Sequence, residues 1–440
     1  MTQLVRGINR WSLVLLIINS IIGAGIFGLP STIFALSGTY SIVAFIVCAV
    51  VVFIFILCFA EVSSRFDATG GPYLYILEAF GPFAAYMAGW LLLLSRIFNY
   101  ATLINLAVIY LSFLSGMFSD PAARIACIIF ITAFLTYMNH VGVKNSARLS
   151  NVLTVAKIIP LAVFIIVGLF YISPDRLHLS EVPSAAPFST SVLLLIFAFG
   201  GFESVLVNSG EIKNPKKNLP FALIIATLVV TIFYCFIQIV SIGTLPTLAT
   251  SKKPLAEAAT IFMGDTGGLF IAAGALVSII GTLNAIMLSG SRLPYAFSIE
   301  RQFPPAFSQV HKKYKTPTRS LIAVSVIVFV TSIMWDFLTA LAIGAIVRVI
   351  LYLMVSASVI QLRRSKPQGN FFKVRGGYFV AAVAIGACIW LLSASKMSEI
   401  RDVAICTAVG LMLYALHMVF RRKADRPTAV EPGLSAGKLN

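Results

Sequence analysis

Apolar runs of about 20 residues recur along the whole chain and are separated by short polar breaks. A helix of that length, rising about 1.5 Å per residue, crosses a hydrocarbon core of about 30 Å. The composition agrees, since 59% of the residues are hydrophobic, 11% are charged and the mean hydropathy is +0.95. The chain is therefore predicted to be an all-α integral membrane protein with 12 transmembrane helices. The approximate spans are 11–36, 40–63, 83–114, 122–138, 149–172, 189–209, 218–244, 267–297, 320–335, 338–362, 377–395 and 401–421.

The excess of basic residues indicates a membrane orientation rather than a nucleic-acid-binding surface. The formal net charge is +17, from 33 Lys and Arg against 16 Asp and Glu. With the N-terminus in the cytoplasm, the inner loops and tails carry 23 basic residues and the outer loops carry six. Because cytoplasmic loops are enriched in Lys and Arg, both termini are expected in the cytoplasm. The first span follows Arg6 and Arg10 without a small-residue cleavage site, so we expect it to be retained.

The first predicted span is interrupted by glycines and a proline. It reads NSIIGAGIFGLPSTIF from Asn19 to Phe34, with Gly23, Gly25 and Gly28 ahead of Pro30. Irregular backbone at membrane depth is tolerated where it lines a cavity rather than lipid. The free N–H groups and positive dipole end of a half-helix starting after Gly23 and Gly25 suit a carboxylate. The sequence therefore predicts an anion-binding break in this span.

The sixth predicted span has a similar interruption. It reads LLLIFAFGGFESVLVNSG, with Gly200 and Gly201 near its middle. Carbonyls of a backbone unwound at Phe197 to Gly200 would accept hydrogen bonds from an ammonium group, although paired glycines also serve close helix packing. The two interruptions lie five spans apart, so the helices run in opposite directions, as in an inverted repeat. The expected division is 1–175 for the first repeat, 176–366 for the second, 367–422 for two added helices and 423–440 for a flexible cytoplasmic tail.

Four motifs together resemble the amino acid-polyamine-organocation (APC) superfamily. They are IIGAGIFGLP in the first span, FAEVSSRFDATGGPYLYILEAFG after the second, AFGGFESV with EIKNPKKNLP around the end of the sixth, and RQFPPAF after the eighth. The resemblance covers about residues 8 to 420. It implies a LeuT-like fold of two inverted five-helix repeats with helices 1 and 6 broken. It also implies secondary transport of amino acids or related amines by alternating access, without a cofactor.

The resemblance also implies site residues. In the family, the glycine motif binds the substrate carboxylate through backbone N–H groups, and an aromatic residue of the sixth helix covers the substrate. The expected substrate-binding residues are Ile22, Gly23, Ala24, Gly25, Ile26, Arg96, Tyr100, Phe197, Ala198, Phe199 and Gly200. The expected coupling or gating residues are Lys157, Phe202, Glu203 and Arg348.

Lys157 lies within the fifth span, where a charged residue costs about 3 kcal/mol at the centre and so requires a reason. It resembles the lysine that many sodium-independent members place against the first and eighth helices, in the region where sodium-coupled relatives bind their ion. Burial favours the neutral amine, so this lysine could lose and regain a proton during transport. The alternative is a permanently charged tie between helices.

Arg96 and Arg348 leave two interpretations open. Alignment to the family pattern places Arg96 and Tyr100 beside the substrate side chain, where a cation would attract an acidic substrate. Alternatively, both arginines belong to a structural network with Glu203 that links the third, sixth and tenth helices, which leaves an apolar pocket. We favour the network, because an unpaired Glu203 is as costly as an unpaired arginine, and we expect neutral amino acids.

Other classes of function have less support. No H-E-x-x-H or G-x-S-x-G motif suggests an intramembrane enzyme, and the four His residues form no predicted metal site. The six Cys residues fall inside predicted helices without paired spacing and are interpreted as packing residues. A channel would require a continuous polar stripe. A sensor of amino acids with a transporter fold is an alternative, and the expected partners are a small amino acid or amine, protons and membrane lipid.

Overall fold

We describe the fold from a computed structural model of the chain. It describes residues 8–66, 71–142, 146–179, 181–206, 212–300, 302–365 and 371–424. The side chains of residues 24, 146–156, 417 and 419–424 lie outside the description. Most of the tail expected at 423–440 also lies outside the described residues.

The described residues are organised as α-helices, short 3₁₀ turns and loops, and their one β-bridge joins Ile8 to Ile212. The helices are α1 (Arg10–Ile21), α2 (Leu29–Ser37), α3 (Ser41–Ser63), α4 (Pro72–Phe80), α5 (Pro82–Leu114), α6 (Pro121–Val141), α7 (Ser146–Gly168), α8 (Ala185–Phe199), α9 (Phe202–Leu206), α10 (Pro215–Thr244), α11 (Pro254–Ile299), α12 (Thr318–Met334), α13 (Phe337–Ser365), α14 (Gly377–Ser393) and α15 (Met397–Ala424).

Seven helical segments of the described chain are long and apolar enough to cross a membrane, and α2 with α3 counts as one of them. The pair formed by α14 and α15, bent by 113°, raises the number to eight if it is one span. Helix α1, the segment Lys157–Tyr171 and α12 are apolar but shorter. The chain is therefore an all-helical protein with several candidate spans, and the number twelve stays a prediction.

The predicted interruption of the first span coincides with a change of backbone conformation. Helix α1 ends at Ile21, Gly23 is extended, a 3₁₀ turn covers Ala24–Phe27, and α2 begins at Leu29. Glycine is a poor helix former, which favours the end of α1 here. Pro30 lies in the first turn of α2, where its missing N–H costs no helix hydrogen bond.

The sixth predicted span also changes conformation at its glycines. Helix α8 ends at Phe199, and Gly200 is extended with φ −77° and ψ 171°. Gly201 has φ +113°, a region that residues with a side chain rarely adopt, and α9 begins at Phe202. A Cβ at Gly201 would also collide with the carbonyl oxygen of Ser20.

Four long helices, α5, α10, α11 and α13, form the framework around these two segments. Helix α5 packs against α11 and α13, and α10 packs against α1 and α3. Helix α11 is longer than its predicted span of 267–297, because helical turns begin at Pro254 and continue across a kink at Gly264. Side chains that line the interior therefore come from helices far apart in the sequence.

Candidate functional site

A cavity of about 490 Å³ lies where the segment after α1 meets the junction of α8 and α9. This volume falls in the range of about 300 to 1,000 Å³ that is usual for small-molecule sites. Helices α5, α7, α11 and α13 complete the wall. Eight of the predicted site residues line it, namely Gly23, Gly25, Arg96, Lys157, Phe197, Ala198, Gly200 and Arg348.

The end of α1 is in direct contact with the junction of α8 and α9. The Ser20 hydroxyl donates a hydrogen bond of 2.6 Å to the Gly201 carbonyl. On the cavity wall, the Phe197 ring lies so close to Gly25 that a Cβ at this position would be 2.9 Å from two ring carbons. Glycine at position 25 is therefore what allows the aromatic ring to lie against the backbone turn.

The 3₁₀ turn at Ala24–Phe27 provides N–H groups at the cavity. The N–H groups of Ile22 and Gly23 donate to Ile18 and Ile21, at N···O distances of 2.8 and 2.6 Å. The N–H groups of Ala24 and Gly25 precede the first hydrogen bond of the turn and have no acceptor within it. Backbone donors in such a position suit an anionic group.

The carbonyls at the end of α8 are less free than the sequence analysis expected. The Phe197 carbonyl accepts from the Gly200 N–H at 3.3 Å and from the Arg348 guanidinium at 3.2 Å. The Ala198 carbonyl accepts from the Tyr234 hydroxyl at 3.1 Å. A carbonyl oxygen has two lone pairs, so the Ala198 carbonyl still has room for a second donor.

Glu203 forms an ion pair with Arg348 that links α9 to α13. The Arg348 Nε to Glu203 Oε1 distance is 3.2 Å, and the two side chains are only 3% and 4% exposed. The carboxylate also accepts from the Gly201 N–H at 2.8 Å and from the Tyr352 hydroxyl at 3.4 Å. Several donors thus compensate a carboxylate that burial alone would make very costly.

Arg96 stands apart from this pair. Its guanidinium donates to the Ser204 hydroxyl at 2.7 Å, which ties α5 to α9. No ion pair within the described part of the chain includes Arg96. Within the expected network of two arginines and one glutamate, the direct ion pair is therefore Arg348 with Glu203, while Arg96 lines the cavity and interacts with the Glu203 charge at longer range.

Lys157 reaches from α7 to the end of α1. Its Nζ donates to the Asn19 carbonyl at 2.5 Å, and the residue is 7% exposed. The side chain carbonyl of Asn19 and the Ser278 hydroxyl, both of residues that line the cavity, have no hydrogen-bond partner among the described residues. This end of the cavity is therefore polar.

Several predicted residues lie away from the cavity wall. Tyr100 is buried and donates to Thr132 of α6 at 3.2 Å. Phe199 packs on Tyr234, and Phe202 packs on Phe59 and Tyr352. Ile22 and Ile26 are buried in the core.

The cavity also includes polar residues that the sequence analysis did not select as site residues. Asn99, one residue before Tyr100, lines the wall, as do Ser204, Ser278 and Thr282. Because successive helix residues are rotated by about 100°, an error of one position exchanges a wall residue for one that faces a neighbouring helix. The described residues contain no group of three or more His, Cys, Asp or Glu that could hold a metal ion.

Comparisons with known proteins complete the description of the site. A profile described as amino acid permease matches residues 8–414. This range includes every residue that lines the cavity.

Three curated relatives from Bacillus subtilis (strain 168) match nearly end to end. A methylthioribose transporter is 28% identical, over 94% of this chain and 94% of the relative. The serine/threonine exchanger SteT is 29% identical, over 93% and 96% of the two chains. The branched-chain amino acid permease BcaP is 26% identical, over 94% and 93%. All three names describe transporters or permeases, not enzymes.

Proposed function

Since this chain belongs to the amino acid permease family, we propose that it moves amino acids across the cytoplasmic membrane by alternating access, without sodium. The observation that carries the proposal is the cavity, which Gly23, Gly25, Phe197 and Gly200 line together with three basic side chains, those of Arg96, Lys157 and Arg348. Backbone N–H groups on one wall and carbonyls on the opposite wall match a ligand with a carboxylate and an ammonium group on one carbon.

The substrate carboxylate is assigned to the N–H groups of Ala24 and Gly25. The ammonium group is assigned to the opposite wall, at the end of α8, where Ala198 keeps a free lone pair. The Phe197 ring covers the site from the side of Gly25. These assignments extend the family's general pattern to this chain residue by residue.

The membrane topology follows from the same proposal. We assign twelve spans in two inverted repeats, with the segment between α1 and α2 and the junction of α8 and α9 as the paired interruptions. Both segments line one cavity and are joined by the Ser20 to Gly201 hydrogen bond, which supports the pairing. With both termini in the cytoplasm, the end of the cavity at Ile8 and Ile212 lies on the cytoplasmic side.

Lys157 is assigned to coupling. Its ammonium group bridges α7 and the carbonyl end of α1, which supports either role considered from the sequence, a proton carrier or a fixed tie. A protonated lysine holds α1, whereas a neutral one holds it less firmly, so proton release would favour movement of α1. A fixed tie would instead serve exchange of one amino acid for another.

Neutral amino acids are the proposed substrates, and acidic amino acids are the second candidate. The second candidate is favoured by one observation: Glu203 is paired with Arg348, and no ion pair of the described residues includes Arg96. A substrate carboxylate at the side-chain end would pair with the Arg96 guanidinium. The hydrogen bond to Ser204 uses one of the five N–H donors of Arg96, so others are available for a substrate carboxylate.

Uptake by purified protein in proteoliposomes tests the function and separates the candidates. Labelled L-leucine and L-glutamate are supplied in sodium-free buffer, with and without a proton gradient, and unlabelled Glu, Leu, Arg or putrescine is added as competitor. We expect uptake of leucine that only Leu inhibits strongly. Inhibition of glutamate uptake by Glu alone would instead support the Arg96 assignment.

The coupling assignment is tested in the same vesicles with Lys157→Ala. If Lys157 carries the proton, the variant accumulates at least tenfold less amino acid than wild type when a proton gradient is applied. Exchange of internal for external amino acid should continue. An equal response of wild type and variant to the gradient would remove the coupling role. If the wild-type protein neither bound nor transported Glu, Leu, Arg or putrescine, the transporter proposal would be contradicted.

A further inference from the structure

A single buried side chain of α10 contacts the two helix ends that precede the interruptions, from behind the cavity wall. The Tyr234 hydroxyl lies 3.1 Å from the carbonyl oxygen of Ile21 and 3.1 Å from that of Ala198. Ile21 is the last residue of α1, and Ala198 lies one residue before the end of α8. Both residues line the cavity, whereas Tyr234 itself is fully buried.

The hydroxyl has fewer protons than it has acceptors. A tyrosine O–H donates one hydrogen bond, so two carbonyls at equal distances must share it or alternate. Both carbonyls belong to last turns of helices. The Ile21 carbonyl also accepts from the Gly23 N–H at 2.6 Å, whereas Tyr234 is the donor found for the Ala198 carbonyl among the described residues. A ligand ammonium that bonds to one carbonyl therefore leaves the Tyr234 proton to the other, and neither group remains unsatisfied.

The surroundings of Tyr234 hold its ring in one place. The ring packs edge to face on Phe45 and Phe199, at centroid distances of 6.2 and 5.3 Å. One helical turn further along α10, the Gln238 amide donates to the Pro30 carbonyl at 3.3 Å and to the Ser41 hydroxyl at 2.9 Å. One face of α10 thus supports the interruption on both sides, at Ile21 and at Pro30.

We propose that Tyr234 is a positioning residue for the substrate's ammonium group. Its hydroxyl fixes the ends of α1 and α8 at one separation and gives its proton to whichever carbonyl the substrate does not use. This inference rests on the proposed function, because it assumes an amino acid in the cavity. It adds a residue of α10 that does not itself line the wall.

The experiment compares Tyr234→Phe with wild type, using whichever of L-leucine, L-glutamate and L-arginine the wild-type protein transports. We expect the KM to rise about tenfold, the upper range for one hydrogen bond, while kcat changes less than twofold. Competition by the 2-hydroxy acid analogue, in which a hydroxyl replaces the ammonium group, should improve relative to the amino acid by a similar factor. A purely structural role would not change this ratio.

Tyr86→Phe is the matched control. Tyr86 is equally buried and donates to a backbone carbonyl, that of Gly410 at 3.0 Å, far along the chain from both interruptions. We expect the wild-type KM and the wild-type preference for the amino acid. If Tyr234→Phe does not fold, Tyr234→His, which keeps a ring and an N–H donor, is measured instead, and its preference for the amino acid should fall by a smaller factor.

Two failures are distinguishable in this design. An unchanged KM and unchanged preference in Tyr234→Phe, with wild-type transport intact, overturns the positioning role alone. An absence of transport or binding by the wild-type protein overturns the proposed function on which it rests.

Discussion

At the scale of single residues, Gly201 is a position where an added methyl group would collide with backbone and not with a flexible side chain. Its φ of +113° disfavours any side chain, and an added Cβ meets the backbone carbonyl of Ser20, which lies in the last turn of α1, just before the other interruption. Backbone cannot move aside as a flexible side chain can. Gly201 is therefore where the contact between the two segments is most sensitive.

We predict that Gly201→Ala lowers the free energy of unfolding by about 3 kcal/mol and abolishes uptake, because strain and overlap add. Thermal unfolding in detergent and uptake in vesicles measure the two effects. Gly376→Ala is the control, since Gly376 also has positive φ, +66°, but an added Cβ there meets nothing within 4 Å. The control should lose only about 1 kcal/mol and keep transport. Equal losses in both variants would show that the contact with Ser20 has no special role.

Residue types and their approximate depth were predictable from the sequence, but of the wall residues of α5 only Arg96 was selected. Tyr100 was selected by alignment, yet its hydroxyl binds Thr132 and its neighbour Asn99 faces the cavity. Helix rotation is fixed by packing of α5 against α11 and α13, which one sequence does not encode locally. The glycines were easier to interpret, because their effect on the backbone is local.

At the scale of elements, the ion pair between Glu203 of α9 and Arg348 of α13 joins the junction to its neighbouring helix. We predict that Glu203→Gln destabilises the protein by about 3 to 5 kcal/mol, because it leaves the Arg348 charge buried and uncompensated. The double variant Glu203→Gln with Arg348→Gln should recover part of this loss. Thermal unfolding of wild type, both single variants and the double variant measures the coupling.

The prediction fails if the double variant loses as much stability as the two single variants together. That result would mean that the two side chains stabilise the fold independently, despite an Nε to Oε1 distance of 3.2 Å. From the sequence, Arg348 and Glu203 were expected to pair, but the sequence could not separate Arg96 from the same network. Arg96 donates a hydrogen bond to the Ser204 hydroxyl and, among the described residues, forms no ion pair with Glu203, and this partner choice depends on the position of α5 relative to α9.

Helix positions were predicted well where apolar runs are long and uninterrupted. The predicted span 83–114 corresponds to α5 at Pro82–Leu114, and 218–244 corresponds to α10 at Pro215–Thr244. The start of α11 was missed, because its first turns before Gly264 are not part of a continuous apolar run. Hydropathy detects burial in lipid but not short helices outside it.

At the scale of the whole molecule, the fold brings two segments, in which Ser20 and Gly201 lie 181 residues apart in sequence, into one wall. The Ser20 hydroxyl and the Gly201 carbonyl are joined by a hydrogen bond, and Tyr234 of α10 contacts the helix end before each interruption. The class, an all-helical membrane transporter, was predictable from composition and motifs. The number of spans stays a prediction, since helices such as α12, with 17 residues, are at the short limit of what a full crossing requires.

The central claim is that an amino acid binds in this cavity, against the turn at Ala24–Phe27 and under the Phe197 ring. The most direct measurement is equilibrium binding of the labelled transported amino acid to purified protein, comparing wild type with Gly25→Ala. The added methyl group would lie 2.9 Å from the Phe197 ring, so this ring of the cavity wall must shift, whereas Gly116→Ala, with nothing within 4 Å, is the control. The account predicts at least a tenfold increase of Kd for Gly25→Ala and wild-type Kd for the control. A wild-type Kd in Gly25→Ala would contradict it.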